Sequence, residues 1–184
     1  MRRLKIVVGL WMTGACLFLG AASSQAASEA DVTVTVTISG SLSVSVSPSS
    51  YAFGTLGVSV GSVSGTSISV TNNSTAFRET YSLSASNTND SWTLASSNGN
   101  NQFVLAAVFS SAAPGGTFND ANHRLTTSSV ACTGSVFAGT AAYNCQQVST
   151  SIALGLWFEM LTPTQITGSA GPETSTVAIT AAAG

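Results

Sequence analysis

From Asp31 the chain reads DVTVTVTISGSLSVSVSP, and its apolar residues fall only on even positions: Val32, Val34, Val36, Ile38, Leu42, Val44 and Val46. Gly40 takes the one gap. A strand turns successive side chains to opposite faces, so the run has one apolar face and one face of Ser and Thr. At about 3.3 Å per residue, an unbroken strand of that length would span roughly 50 Å, whereas strands commonly hold about 5 to 6 residues. A compact domain of this size should be only about 40 Å across. The pattern therefore predicts two strands jointed at Gly40. Leu42 to Val46 packs in its own domain, and Val32 to Ile38 forms an arm whose apolar face is left for a neighbour.

The rest of the chain repeats the same grammar in shorter pieces. Gly54, Gly57, Gly61 and Gly65 punctuate short alternating pieces in which Val58 and Val60, then Ile68 and Val70, occupy same-face positions. ETYSLSAS alternates with Tyr81, Leu83 and Ala85 on one face, and SWTLAS does so with Trp92 and Leu94. QFVLAAVFS is apolar on both parities, which predicts a strand covered on both faces. VSTSIALGLWFEML sets Val148, Ile152, Leu154, Leu156, Phe158 and Met160 on one face, with Trp157, Glu159 and Leu161 on the other. STVAITA alternates once more. NTND and SNGNN between the pieces are turn chemistry. About eight to ten strands with turns at short intervals predict an all-β fold, an antiparallel β-sandwich of immunoglobulin-like or jelly-roll-like type.

The first residues change where the molecule is expected to be. Arg2, Arg3 and Lys5 precede an apolar stretch from Ile6 to Ala22, and Ser24 and Ala26 make a small-residue cleavage site. This predicts a signal peptide over residues 1–26, an arm over 27–40 and a single sandwich domain over 41–184. The protein is then secreted or held at the cell surface, with transit through a periplasm where one exists, and it meets a membrane only through the cleaved signal. After residue 26 there is no lysine, and Arg78 and Arg124 stand against Glu29, Asp31, Glu79, Asp90, Asp120, Glu159 and Glu173. Two bases against seven acids leave a formal charge of −5. Two separated arginines cannot neutralise a phosphate backbone, which excludes nucleic-acid binding and a polybasic attachment to anionic lipid.

Candidate chemistry is sparse. Cys132 and Cys145 are the cysteines that remain after processing, and an oxidising destination predicts a structural disulfide between them. His123 lies near Asp120, but no GxSxG elbow accompanies it, so the chain is not expected to be an enzyme and no cofactor is implied. Asn119, Asp120 and Asn122 offer oxygen ligands for a weak calcium site with one carboxylate among them, short of the several that calcium usually takes. Glu159 sits between apolar neighbours, where Arg78 or Arg124 would be its natural partner. Trp92 and Trp157 are candidates for a glycan-stacking platform, although both fall on strand patterns where aromatics more often pack inward. Asn72, Asn73 and Asn89 each begin an Asn-x-Ser/Thr triplet.

The order of SYAFGTLG, SISVTNNST and SWTLASSNGNNQFVLAAVF resembles the opening two thirds of secreted bacterial surface sandwiches, of the WxL-type and spore-coat-U or pilin-like modules. Trp92 and Leu94 supply one Trp-x-Leu, while Trp157 is followed by Phe158 and Glu159 instead of completing a second. The resemblance implies a surface or fibre role. Together with the arm it yields two expectations: a structural subunit of a fibre, coat or matrix that assembles with itself or other surface proteins by strand addition, or an adhesin-like module that binds cell-wall glycan or other carbohydrate.

Overall fold

A computed structural model describes residues 33–88, 91–115, 121–139, 143–168 and 171–184. The expected signal peptide, Val32, Asn89, Asn119 and Asp120 lie outside the described residues. Among those described there are nine strands and no α-helix. They are β1 (Val44–Ser47), β2 (Gly61–Val63), β3 (Ile68–Asn72), β4 (Glu79–Ala85), β5 (Thr93–Leu94), β6 (Gln102–Phe109), β7 (Val130–Ala131), β8 (Ala153–Leu161) and β9 (Val177–Ala183).

The strands form two sheets. The larger runs β1-β3-β8-β6-β5, and β2 also pairs with β8. β2 and β3 lie end to end along one side of β8, Gly61–Val63 opposite Leu161–Glu159 and Ile68–Thr71 opposite Leu156–Ala153. Ser64 bridges the gap between them. Its N–H donates to Phe158 O at 2.8 Å, and its hydroxyl accepts the Phe158 N–H at 3.0 Å, so a side chain stands in for a rung of the ladder. The smaller sheet runs β7-β4-β9. β4 and β9 pair over seven residues, from Glu79 opposite Ala183 to Ala85 opposite Val177.

Both sheets feed one core. Ile68 and Val70 of β3, Tyr81 and Leu83 of β4, Phe103, Leu105 and Phe109 of β6, and Leu154 and Leu156 of β8 are buried together with Phe137. β6 is buried on both parities, as its sequence predicts. Its second face, with Ala106 and Val108, packs against Trp157 and Val63 in a smaller cluster. The disulfide joins Cys132 and Cys145, with Cα atoms 5.7 Å apart. The backbones of both cysteines bond to Tyr81, which accepts from Cys132 N and donates to Cys145 O, so the bridged segment lies along β4 opposite β9.

Three expectations change. β5 and β6 are parallel, Thr93 beside Gln102 and Leu94 beside Phe103, so the pairing is not uniformly antiparallel. The connection between them includes a tight turn closed by Gly99 and Gln102, with Asn101 held in the left-handed region at φ 52°, which Asn tolerates better than most residues. The strand expected over Leu42 to Val46 starts later, at Val44, and ends where Pro48 has no N–H to donate to a ladder. Residues 33–43 adopt no strand. Gly40 acts through close approach: a Cβ there would sit 2.8 Å from Ala76 Cβ and 2.8 Å from Phe77 Cε2, tighter than real Cβ atoms show.

Candidate functional site

The arm presents its apolar side chains to solvent. Val34 is 85% exposed, Val36 81% and Ile38 71%. These large hydrophobes fall at every second position, and the intervening Thr33, Thr35, Thr37 and Ser39 are exposed as well. Exposed apolar residues are ordinary when scattered, whereas a regular row of them is the kind of surface that partners cover.

The arm's root is held in the domain by a buried carboxylate. Ser43 donates its N–H to Glu79 Oε1 at 2.9 Å, and Ser43 O accepts from Asn73 N at 2.7 Å. Glu79 opens β4 on the inward parity with Tyr81, Leu83 and Ala85, and it is completely buried. Glu79 Oε2 and the Tyr81 hydroxyl are both buried without a hydrogen bond of normal geometry. Burial, and after it the nearby Glu79 charge, hold the Tyr81 phenol well above its ordinary pKa. Sequence reasoning passed over Glu79, although parity alone places it inward with Tyr81.

Beside it, Asn72 is buried and fully engaged. Its amide donates to Val148 O at 2.8 Å and Phe77 O at 3.1 Å, and its Oδ1 accepts Ser74 N at 2.8 Å. The triplet beginning at Asn72 is therefore a clamp between two loops, the β3–β4 connection and the segment around Val148, with no free amide for a glycan, whereas Asn73 is exposed.

On the same side of the molecule β1 and β9, the outer strands of the two sheets, pass close to each other. Side chains that face the core there are incompletely covered. Val46, in register with fully buried Val70, is 41% exposed, and Val177, Ile179 and Ala181 of β9 are half-buried against the core. Leu42 and Ile152 are 43% and 47% exposed.

The remaining candidates lie elsewhere. Trp157 is 9% exposed, packed among Ala106, Val108 and Val63, and its indole N–H donates to Ser110 O at 3.1 Å. Its ring therefore offers no free face to a sugar. Trp92 is half-buried and tilted against Phe103, with ring centroids 6.4 Å apart. Asn122 is exposed, and its carbonyl accepts from Phe137 N at 3.1 Å. Among the described residues no three His, Cys, Asp or Glu side chains gather around a point that would hold a metal. Glu159 is 3% exposed and lies in one cross-sheet row, Val63, Glu159, Ala106, Arg124, so that of the two arginines Arg124 shares its row with only a small alanine between. No family model, curated protein or solved structure matches the chain.

Proposed function

We propose that this chain is an exported structural subunit of a bacterial surface, which builds a fibre, coat or matrix by adding a strand of one copy to a sheet of another. On this reading the two sheets face each other as an immunoglobulin-like sandwich, and residues 27–40 are the arm that leaves it. The observation that carries the proposal is the exposed row Val34, Val36 and Ile38, alternating with Thr on a segment that forms no strand of its own. Such a segment gains twice by joining a sheet edge: its backbone groups find partners whatever the side chains, and its apolar face leaves water. The sparse charge puts little repulsion between copies, and the disulfide suits an oxidising location. The resemblance to secreted surface modules points the same way. A glycan-binding module has weaker support, because Trp157 is enclosed and Trp92 packs on Phe103.

Electron microscopy of the secreted protein, with and without residues 27–38, tests this. Filaments or sheets are expected from the whole chain, and a folded, disulfide-bonded monomer from the truncated one. Equal assembly by both, or none by the whole chain, overturns the proposal.

A further inference from the structure

Resting on that reading, we infer that the arm's acceptor is the outer edge of β9 in a second copy. The backbone phase of the smaller sheet selects this edge. At its two ends Ser86 N donates to Thr176 O, and Gly184 N donates to Arg78 O, so the even-numbered residues from 176 to 184 turn their amides toward β4. In an antiparallel ladder the alternate residues point the other way. Consistently, Glu79, Tyr81 and Ala85 of β4 send their N–H groups to Val148, Cys145 and Thr126, away from β9. Val177, Ile179, Ala181 and Ala183 therefore present four N–H and four C=O groups outward, and none of these has a partner among the described residues.

Val177, Ile179 and Ala181 are also the residues whose side chains face the core and remain half-covered. Residues directly opposite each other on paired strands share a face. A strand laid along β9 would thus place its own inward side chains opposite these positions. The arm offers four at the same spacing, Val32, Val34, Val36 and Ile38, over seven residues that match the seven of β9. Neither segment carries a charge.

β1 is the poorer acceptor. The bond from Asn73 N to Ser43 O sets the opposite phase there, leaving only Val44 and Val46 with outward backbone groups before Pro48 ends the strand. Sheet edges are usually guarded by a lysine, a proline, a bulge or shortness. β9 has none of these, which fits an edge kept open for a strand.

Cysteine pairing on the full-length secreted chain tests this. Thr35→Cys is combined in turn with Ala178→Cys, Thr180→Cys and Ala182→Cys, all on the outward face, and separately with Ser45→Cys. Each protein is oxidised mildly and run on a non-reducing gel, with the single variants as controls. A ladder of cross-linked multimers from at least one β9 pair, stronger than from any single variant by about tenfold or more, is expected. A ladder from the Ser45 pair alone overturns β9 as acceptor and leaves strand addition standing. Cross-linking within monomers overturns transfer between copies. Filaments that form without any of these cross-links overturn the inference, and failure of the unmodified chain to assemble overturns the reading beneath it. As a second measurement, the Val177, Ile179, Ala181 and Ala183 amides should exchange with solvent at least tenfold more slowly in assembled protein than in monomer; unchanged exchange overturns the inference.

Discussion

Glu79 and Ser43, 36 residues apart, meet through a hydrogen bond from the Ser43 N–H to Glu79 Oε1, and this bond ties the root of the arm to the buried start of β4. A carboxylate fully removed from water is costly unless something donates to it. Glu79→Ala strands the Ser43 N–H and should cost about 1–3 kcal/mol. Glu79→Gln retains an acceptor and should stay within about 1 kcal/mol of the parent. Urea unfolding midpoints of the two variants check the difference.

Tyr81 gives the fold an alkaline limit. Burial, reinforced by Glu79, raises its folded-state pKa above the unfolded value near 10. The unfolded chain then releases a proton that the native chain keeps, so the contribution is intact below about pH 10 and is lost as pH rises further. Tyr81→Phe removes this dependence, and it also removes a hydroxyl that has no good partner. The parent should lose stability more steeply than Tyr81→Phe between pH 9 and 12, with Tyr81→Phe equal or more stable at neutral pH. Denaturant midpoints across that range measure both.

Gly40 is fixed by space. A methyl group there meets Ala76 Cβ and the Phe77 ring at 2.8 Å. Gly40→Ala should destabilise by about 1–3 kcal/mol as the ring or the chain shifts. Adding Phe77→Ala should recover at least about 0.5 kcal/mol of that loss in a double-mutant cycle.

The Cys132–Cys145 bridge closes a loop with a separation of 13 residues. Replacing both cysteines with serine should lower stability by about 3 kcal/mol in the loop-entropy account. Loss of protection at the Tyr81 amide and at the backbone amide of position 132 in hydrogen exchange would locate the damage on β4.

Much of this architecture is written in local alternation. β3, β4, β8 and β9 sit where the period of two places them, with Val70, Leu83, Leu156 and Ile179 turned inward. The double-sided burial of β6 follows from QFVLAAVF, and the enclosure of Trp157 follows from it in turn, because Trp157 pairs with Val108 on that second face. What alternation does not carry is the partner of each strand. The parallel β5–β6 pair, the late start of β1 and the use of Glu79 as an anchor depend on contacts between residues far apart in sequence. The open edge was illegible for the same reason: VAITAAA reads alike whether one side or both sides are paired.

If copies join through β9 as proposed, the seven-residue pairing of β4 with β9 takes on a mechanical meaning. A pull delivered along β9 would load the hydrogen bonds of that pairing in shear, so that they yield together, whereas a pull across the strand would peel them one at a time. β4 is braced from behind by the segment that the disulfide locks, through the Tyr81 bonds to both cysteines. Tension arriving at β9 therefore passes to a strand with covalent backing, and rupture is governed by the rate of shearing the ladder and not by its equilibrium stability.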